Sequence, residues 1–168
     1  DLLLGDTAHT PLAALSPEIA ARTITLMAPS KTFNIPGLGC AFAVIAPADL
    51  RRRFRRAMAG IVPHVNIMGL TAARAAYRFG GQWLSALLDY LRGNRDLVQR
   101  EIEQMPHVST TPVEATYLSW IDCRRVHGKD PARFFEKAGV GLSDGSEFGG
   151  PGYVRLNFGC PRATLQEA

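Results

Sequence analysis

The chain has 168 residues, of which 46% are hydrophobic and 20% charged, with a formal net charge of +4. This length suits one ordinary domain or parts of two, and the composition excludes an intrinsically disordered chain. No apolar run approaches the roughly 18 residues of a membrane span, so no membrane partner is predicted. The first residues lack the basic region of a signal peptide, and the mild charge alone implies no polyanionic partner.

The N-terminal half is predicted to alternate short strands with helices, on the basis of hydrophobic periodicity and capping signals. Ser16 followed by Pro17 is typical of a helix start, and the pair Gly93-Asn94 indicates a bend or a tightly packed point. The predicted elements are a buried strand of the parallel type at 2–4, a short helix from Pro17, strands at 24–27 and 38–46, and helices at 49–60, 69–79 and 82–105.

The C-terminal half is predicted to mix strands and helices. Asp130 caps a helix that Gly139 ends, with Phe134 and Phe135 on its buried side. The strand at 153–158 alternates, so Val154, Leu156 and Phe158 share one face, and Tyr153, Arg155 and Asn157 the other. The remaining elements are a strand at 116–121, an extended piece at 140–142, a turn at 143–146, a flexible loop at 148–152 and a helix from Pro161.

The helix predicted at 49–60 carries five arginines in six positions, Arg51, Arg52, Arg53, Arg55 and Arg56. Such a cluster is compatible with contact to nucleic acid or a membrane. The simpler interpretation is a solvated face, or one that pairs with acids elsewhere. We favour that interpretation because no aromatic stacking platform accompanies the cluster, so nucleic acid is not a predicted partner.

The cysteines Cys40, Cys123 and Cys160 are far apart and show no metal-ligand spacing. An odd and sparse set favours free thiols in a reducing compartment, so we expect a cytoplasmic protein. No metal site is predicted.

Lys31 is one of three lysines, and it lies between the apolar runs 24–27 and 40–45. A lysine between buried strands is costly to desolvate; burial lowers its pKa, and a neutral amine can form a Schiff base. The alternative is a strand-end lysine whose amine reaches water, and spacing alone leaves both open. Lys129 and Lys137 flank a polar, turn-rich segment and are interpreted as solvated.

The residues around Lys31 resemble a known sequence motif. Ala-Pro-Ser-Lys-Thr-Phe-Asn-Ile-Pro-Gly-Leu, residues 28–38, resembles the cofactor-lysine segment of fold-type I pyridoxal-phosphate enzymes, above all the MalY/PatB branch of cystathionine β-lyase-like carbon–sulfur lyases. Further stretches match this branch in order, at residues 1–4, 81–84, 116–122, 138–140 and 154–159. The resemblance implies an α/β fold, the C-terminal part of the aspartate-aminotransferase-like architecture. Residues 1–82 would end the large parallel or mixed-sheet cofactor domain. Residues 83–168 would form the linking helix and small α+β domain.

The same resemblance assigns roles to individual residues. Lys31 would hold pyridoxal 5'-phosphate as an imine and act as the base at the substrate Cα. Ser30 would donate to the cofactor phosphate, and Arg155 would bind the substrate α-carboxylate. Asn34 and Tyr77 are possible neighbours of the site.

Three further points concern the resemblance and the site that it implies. Many aminotransferases carry a phosphate-binding arginine eight residues after the lysine; this chain has Gly39 there, and the β-lyase-like branch also lacks that arginine. Trp83 and Trp120 are interpreted as core residues. The carboxylate that binds the pyridine nitrogen is expected upstream of Asp1, which does not inherit that role.

The function implied is β-elimination from a sulfur-bearing amino acid, giving pyruvate, ammonia and a thiol. A class I/II aminotransferase is the alternative, because Lys31 is competent for both reactions. A regulatory or DNA-binding protein with an aminotransferase-like domain is a distant alternative. We expect a homodimer whose N-terminal part lies upstream, and the 168 residues alone are expected to be inactive.

Overall fold

The computed structural model describes residues 2–126 and 130–168. It forms two compact units, residues 8–85 and residues 2–7 with 86–168; the division at residue 82 stays a prediction. In chain order the elements are α1 (Pro17–Ala20), β1 (Thr25–Met27), α2 (Pro29–Thr32), β2 (Phe42–Val44), α3 (Ala48–Met58), α4 (Ile67–Phe79), α5 (Gly81–Gln104), β3 (Ser109–Thr110), β4 (Leu118–Asp122), α6 (Pro131–Lys137), β5 (Ser143–Asp144), β6 (Tyr153–Asn157) and α7 (Arg162–Glu167).

In the first unit, β1 and β2 form an antiparallel ribbon in which Thr25 pairs with Val44 and Met27 with Phe42. Both strands were predicted to be buried, and this is wrong for the described residues: Leu26 is 71% exposed and Val44 53%. The reason is that a two-stranded ribbon has two faces, and the described residues leave much of both uncovered. β2 is also shorter than the predicted strand at 38–46, and Leu38 belongs instead to a 3₁₀ turn of residues 36–38.

The predicted helices of this unit are confirmed. Ser16 caps α1 by accepting a hydrogen bond from the Ile19 amide at 3.2 Å. Helix α4 begins two residues earlier than predicted, because Asn66 Oδ1 accepts from the Gly69 amide at 2.8 Å and so caps the helix at Ile67.

Two arginines of the α3 cluster have partners within the chain. Arg51 Nη1 donates to the Ile45 carbonyl at 2.7 Å, and Arg52 pairs with Asp49 at 2.8 Å. The Arg51 contact ties α3 to the segment before it, whereas the Arg52–Asp49 pair lies within the helix. The other arginines of the cluster are exposed, in agreement with a solvated face.

The second unit contains an antiparallel four-stranded sheet of order β3-β4-β6-β5. The predicted alternation of β6 is confirmed on its buried face, where Val154 and Phe158 are fully buried. The core of this unit comprises Leu2, Leu4, Leu91, Val98, Ile102, Ile121, Cys123, Val154, Phe158 and Leu165.

Asn94 explains the irregular point predicted in α5. The helix is continuous there, and the fully buried Asn94 donates from Nδ2 to the carbonyls of Phe158 and Cys160, both at 2.9 Å. Its Oδ1 accepts from Arg162 Nε at 3.0 Å. Gly93 beside it leaves room for the Arg162 side chain, since a Cβ there would lie 2.5 Å from Arg162 Nη2.

Helix α6 has the predicted caps. Asp130 accepts from the Arg133 amide at 3.0 Å. Gly139, at φ +94°, closes the helix in a Schellman motif, in which its own amide bonds to Glu136 and the Val140 amide to Phe135. The prediction that Phe134 is buried is wrong, because that ring is 52% exposed.

Two other predictions of this unit are corrected by strand pairing. Leu3 makes an isolated antiparallel bridge to Ala115 and belongs to no parallel strand, although its neighbours Leu2 and Leu4 are buried. Ser143 was predicted in a turn, but it lies in β5 because it pairs with Arg155 of β6.

Lys137 is exposed as predicted, and Lys129 lies outside the described residues. Cys40, Cys123 and Cys160 are free thiols. Burial, with a smaller effect of the Asp122 charge, raises the pKa of Cys123 to about 11, so this thiol is a poor nucleophile. Among the described helices, none combines the length and apolar character that crossing a membrane requires.

Candidate cofactor and carboxylate sites

Lys31 lies on α2, a single helical turn that Pro29 begins. The Phe33 amide closes this turn on the Pro29 carbonyl at 2.9 Å, and Asn34 leaves it in the left-handed region at φ +52°. Asn is one of the few residues that tolerate this conformation, so the sequence after the lysine suits an abrupt helix end.

The sequence left two environments open for Lys31, an amine buried between strands and an amine that reaches water. In the described structure Lys31 is exposed, as in the second alternative. The cause is that Lys31 follows β1 of the β1–β2 ribbon, whose faces the described residues leave largely uncovered. The described residues therefore do not desolvate the Lys31 amine.

The polar tips of the four predicted residues in this unit share one property. Within the part of the chain that the structure describes, Ser30, Lys31, Asn34 and Tyr77 make no side-chain hydrogen bond, and Lys31 makes no ion pair. An unengaged primary amine beside an unengaged hydroxyl is the donor set that imine formation and phosphate binding require. The residues present therefore fit pyridoxal phosphate, as far as this segment supplies its site.

Phe33 brings Tyr77 to this segment. The Phe33 ring meets the Tyr77 ring edge to face at 5.6 Å, and it packs so closely on the end of α4 that a Cβ at Gly80 would lie 2.7 Å from its Cε1. Partial burial, with a smaller effect of Cys40, raises the pKa of Tyr77 above its usual value. Tyr77 is therefore a neutral hydroxyl, able to donate or accept a hydrogen bond.

The segment of residues 28–38, which contains Lys31, is anchored at its C-terminal end to the start of α4. Asn66 Nδ2 donates to the Leu38 carbonyl at 3.0 Å. Gly69 permits this contact, because a Cβ at that position would clash with the same carbonyl. The loop that follows the lysine therefore has a defined anchor.

Arg155 lies in the other unit, at the centre of β6 and half-buried. Its Nη2 donates to Ser143 Oγ at 3.2 Å, and its Cζ lies 4.2 Å from the centroid of the Phe148 ring. No carboxylate of residues 2–126 or 130–168 forms an ion pair with it. An oriented guanidinium without an acidic partner suits the predicted role of binding a carboxylate.

Sequence reasoning missed Ser143 and Phe148 as neighbours of Arg155. They were taken as parts of a turn and a flexible loop. Only the pairing of β5 with β6 could have brought them to the arginine, because Ser143 stands opposite Arg155 in that register.

The two tryptophans differ from each other. Trp120 is half-buried and stacks on Tyr153 at 5.5 Å with an interplanar angle of 12°. Trp83 was predicted to be a core residue, but it is 45% exposed, with a tilted ring contact to Phe33 at 6.4 Å.

Comparison with known proteins places these features in a family. The aminotransferase class I and II family matches residues 1–168. Cystathionine β-lyase PatB of Bacillus subtilis is 38% identical over 179 residues, covering 99% of this chain and 45% of PatB.

Two solved structures extend the comparison. The crystal structure of OvoB superposes with a TM-score of 0.96 at 49% identity, covering 98% of this chain and 44% of OvoB. A putative pyridoxal-phosphate-dependent β-cystathionase of Corynebacterium diphtheriae gives a TM-score of 0.90 at 38% identity, covering 99% of this chain and 45% of that one.

These matches confirm the predicted fold, the C-terminal portion of the aspartate-aminotransferase-like architecture. The chain spans about half the length of the curated relatives that it matches, 45% in the case of PatB. With a family match along its whole length, the chain belongs to the aminotransferase class I and II family.

Proposed function

We propose that the complete protein is a pyridoxal-phosphate-dependent carbon–sulfur β-lyase, to which this chain contributes Lys31 and Arg155. The observation that carries the proposal is the Lys31 amine beside the Ser30 hydroxyl, both without a polar side-chain partner among residues 2–126 and 130–168, in a chain whose relatives bear the names cystathionine β-lyase and β-cystathionase. The substrate class is then an amino acid with sulfur at Cβ.

Each residue has a defined task in this proposal. The Lys31 amine holds the cofactor, and the Ser30 hydroxyl donates to its phosphate. When bound, pyridoxal phosphate supplies an electron sink for negative charge at the substrate Cα. Lys31 takes the Cα proton as general base, and the sulfur leaves Cβ as a thiolate. With water consumed, the products are a thiol, pyruvate and ammonia.

Arg155 serves the other end of the substrate. A guanidinium stays charged and binds a carboxylate through two parallel N–H bonds. Such a contact fixes the substrate by its α-carboxylate, which every amino acid shares. Asn34 and Tyr77, with their unengaged polar tips, are proposed as further contacts near Lys31.

An aminotransferase is the second candidate, because that activity gives the family its description and because Lys31 could return the proton to a different carbon. Nucleic-acid binding through α3 is the distant one. It has less support because Arg51 and Arg52 already have partners within the chain.

The test compares Lys31→Ala with Lys137→Ala in the complete protein. Lys137 is an exposed lysine at the end of α6, so its replacement is a matched control. We expect Lys31→Ala to abolish pyruvate and thiol release from L-cystathionine, together with the visible absorption of the lysine-bound cofactor. Lys137→Ala should retain both.

Two results would contradict the proposal. Activity and absorption that survive Lys31→Ala would remove the lysine from the site. Exchange with a 2-oxo acid, without pyruvate release from L-cystathionine, would identify an aminotransferase.

We also propose that the complete protein is a cytoplasmic homodimer, with the rest of the cofactor site in a part that precedes these residues. The first unit exposes Ile61, Ile67 and Met68 at 80%, 72% and 65%. Such apolar surface favours burial against further protein. Light scattering on the complete protein would decide this, and a monomeric mass would refute the dimer.

A further inference from the structure

The guanidinium of Arg155 is held from two directions, and no acidic side chain in the described part of the chain neutralises it. Phe148 lies under its face at 4.2 Å, and Ser143 Oγ accepts one of its five N–H donors at 3.2 Å. The carboxylate of Asp144, next to Ser143 on β5, accepts instead from the Ser146 amide at 2.9 Å. Most donors of Arg155 are thus available to a ligand.

Phe148 is itself fixed by an aromatic ladder across the sheet. Its ring meets Trp120 edge to face at 6.2 Å and 82°, and Trp120 stacks on Tyr153 at 5.5 Å. Arg124 covers Tyr153 with its guanidinium carbon 5.0 Å from the ring centroid. The ring under Arg155 is therefore part of an ordered stack, although it is half exposed.

The backbone of the loop that carries Phe148 is closed by hydrogen bonds. Residues 145–148 form a 3₁₀ turn, and the Gly150 amide donates to the Gly145 carbonyl at 2.8 Å. A Cβ at Gly145 would lie 2.5 Å from the Tyr153 carbonyl oxygen, so only glycine permits this return of the chain. The loop predicted as flexible therefore has a specific conformation that delivers Phe148 to Arg155.

We propose that Phe148 and Ser143 are positioning residues that orient Arg155 to receive a carboxylate. The aromatic face attracts the cation and fixes the plane of the guanidinium, while Ser143 fixes the rotation within that plane. A pre-oriented guanidinium loses less side-chain freedom when a carboxylate binds. The inference rests on the proposed role of Arg155 in binding the substrate carboxylate.

The first measurement is kinetic, on the complete protein with L-cystathionine. Phe148→Leu keeps the apolar volume and removes the aromatic face. We expect KM to rise about tenfold, since a cation–π contact amounts to a factor of roughly 2 to 30, with kcat changed less than about twofold. Phe148→Tyr, which restores the ring, should behave as the wild type. Phe134→Leu is the matched control, because Phe134 has a similar exposure, 52% against 50%.

The second measurement needs no activity. The NMR order parameter of the Arg155 Nε–H bond should fall in Phe148→Leu and in Ser143→Ala. It should stay unchanged in Phe148→Tyr and Phe134→Leu.

A double-variant measurement of KM completes the test. In an Arg155→Ala background, Phe148→Leu should give no further rise in KM, because the ring acts through the arginine.

The outcomes separate the two proposals. If Arg155→Ala raises KM strongly while Phe148→Leu leaves KM and the Nε order unchanged, the positioning role is wrong and the proposed function stands. An additive effect of Phe148→Leu in the Arg155→Ala background also overturns the positioning role. If Arg155→Ala leaves KM unchanged, the assigned role of Arg155 fails, and the inference fails with it. Should Phe148→Leu not fold, Ser143→Ala gives the same comparison, because it removes the other orienting contact while Phe148→Tyr remains the control.

Discussion

Replacement of Asn94 by leucine should destabilise the second unit by about 2–6 kcal/mol. The side chain is fully buried and donates to the carbonyls of Phe158 and Cys160, both at 2.9 Å. Leucine leaves these oxygens without a donor, and an unsatisfied buried group costs about 1–3 kcal/mol. Arg162, whose Nε loses its acceptor, is only half-buried and can be hydrated, so it adds little. The sum of the first two contributions gives the expected range.

Urea unfolding measures this effect in the right part of the molecule. The chain has two tryptophans, so a Trp83→Phe background makes Trp120 the sole fluorescent reporter, and it lies in the unit that contains Asn94. Gln104→Leu, at an exposed position at the end of α5, should change the unfolding free energy by less than about 0.5 kcal/mol. Asn94→Leu should lower the urea midpoint by more than Gln104→Leu does. If the two variants had the same midpoint and the same dependence on urea concentration, the argument from the two unpaired carbonyls would be refuted.

Two further perturbations test the sheet. Arg124, chiefly through a side-chain hydrogen bond, lowers the pKa of Asp122 from 3.8 to about 2. Since the folded pKa is the lower one, this stabilisation is complete above the unfolded pKa and is lost as the pH falls through about 2. Asp122→Asn should therefore weaken the dependence of the unfolding free energy on pH between about 2 and 3.8. An unchanged dependence would contradict the pairing of Asp122 with Arg124. Gly150→Ala would place a Cβ 2.5 Å from Trp120 Cζ2, so we expect altered Trp120 emission and a lower Tm. Gly141→Ala, with no atom within 4 Å of the new Cβ, should change neither, and equal effects would contradict the packing argument.

The features that sequence predicted well depend on groups close together in the chain. Ser16 and Asp130 cap their helices through amides three residues away, and Gly139 closes α6 through its immediate neighbours. Such contacts are determined by local residue types, whatever the rest of the fold does. The period of two in β6 is local in the same sense, and it located Arg155 on the face opposite Val154.

The features that sequence missed depend on distant partners. Leu26 is apolar, yet its burial requires a layer that the described residues do not provide. Phe134 and Phe135 are equally apolar neighbours, and only the packing of α6 decides which one is exposed. Ser143 has turn-forming character, but pairing with Arg155 makes it a strand residue. Composition and period cannot distinguish these outcomes, because both are compatible with them.

The two candidate sites, around Lys31 and around Arg155, differ in what this chain alone determines. Lys31 and Ser30 are exposed or half-buried and have no polar side-chain partner among the described residues, so their geometry depends on what binds to them. Arg155 instead receives its orientation from Phe148 and Ser143 of its own unit. A motif alone carries the role proposed for the lysine, whereas the environment of the arginine could be described only from the sheet register. It follows that substitutions around Arg155 should change substrate affinity before they change the cofactor, because every contact that orients it lies within residues 86–168.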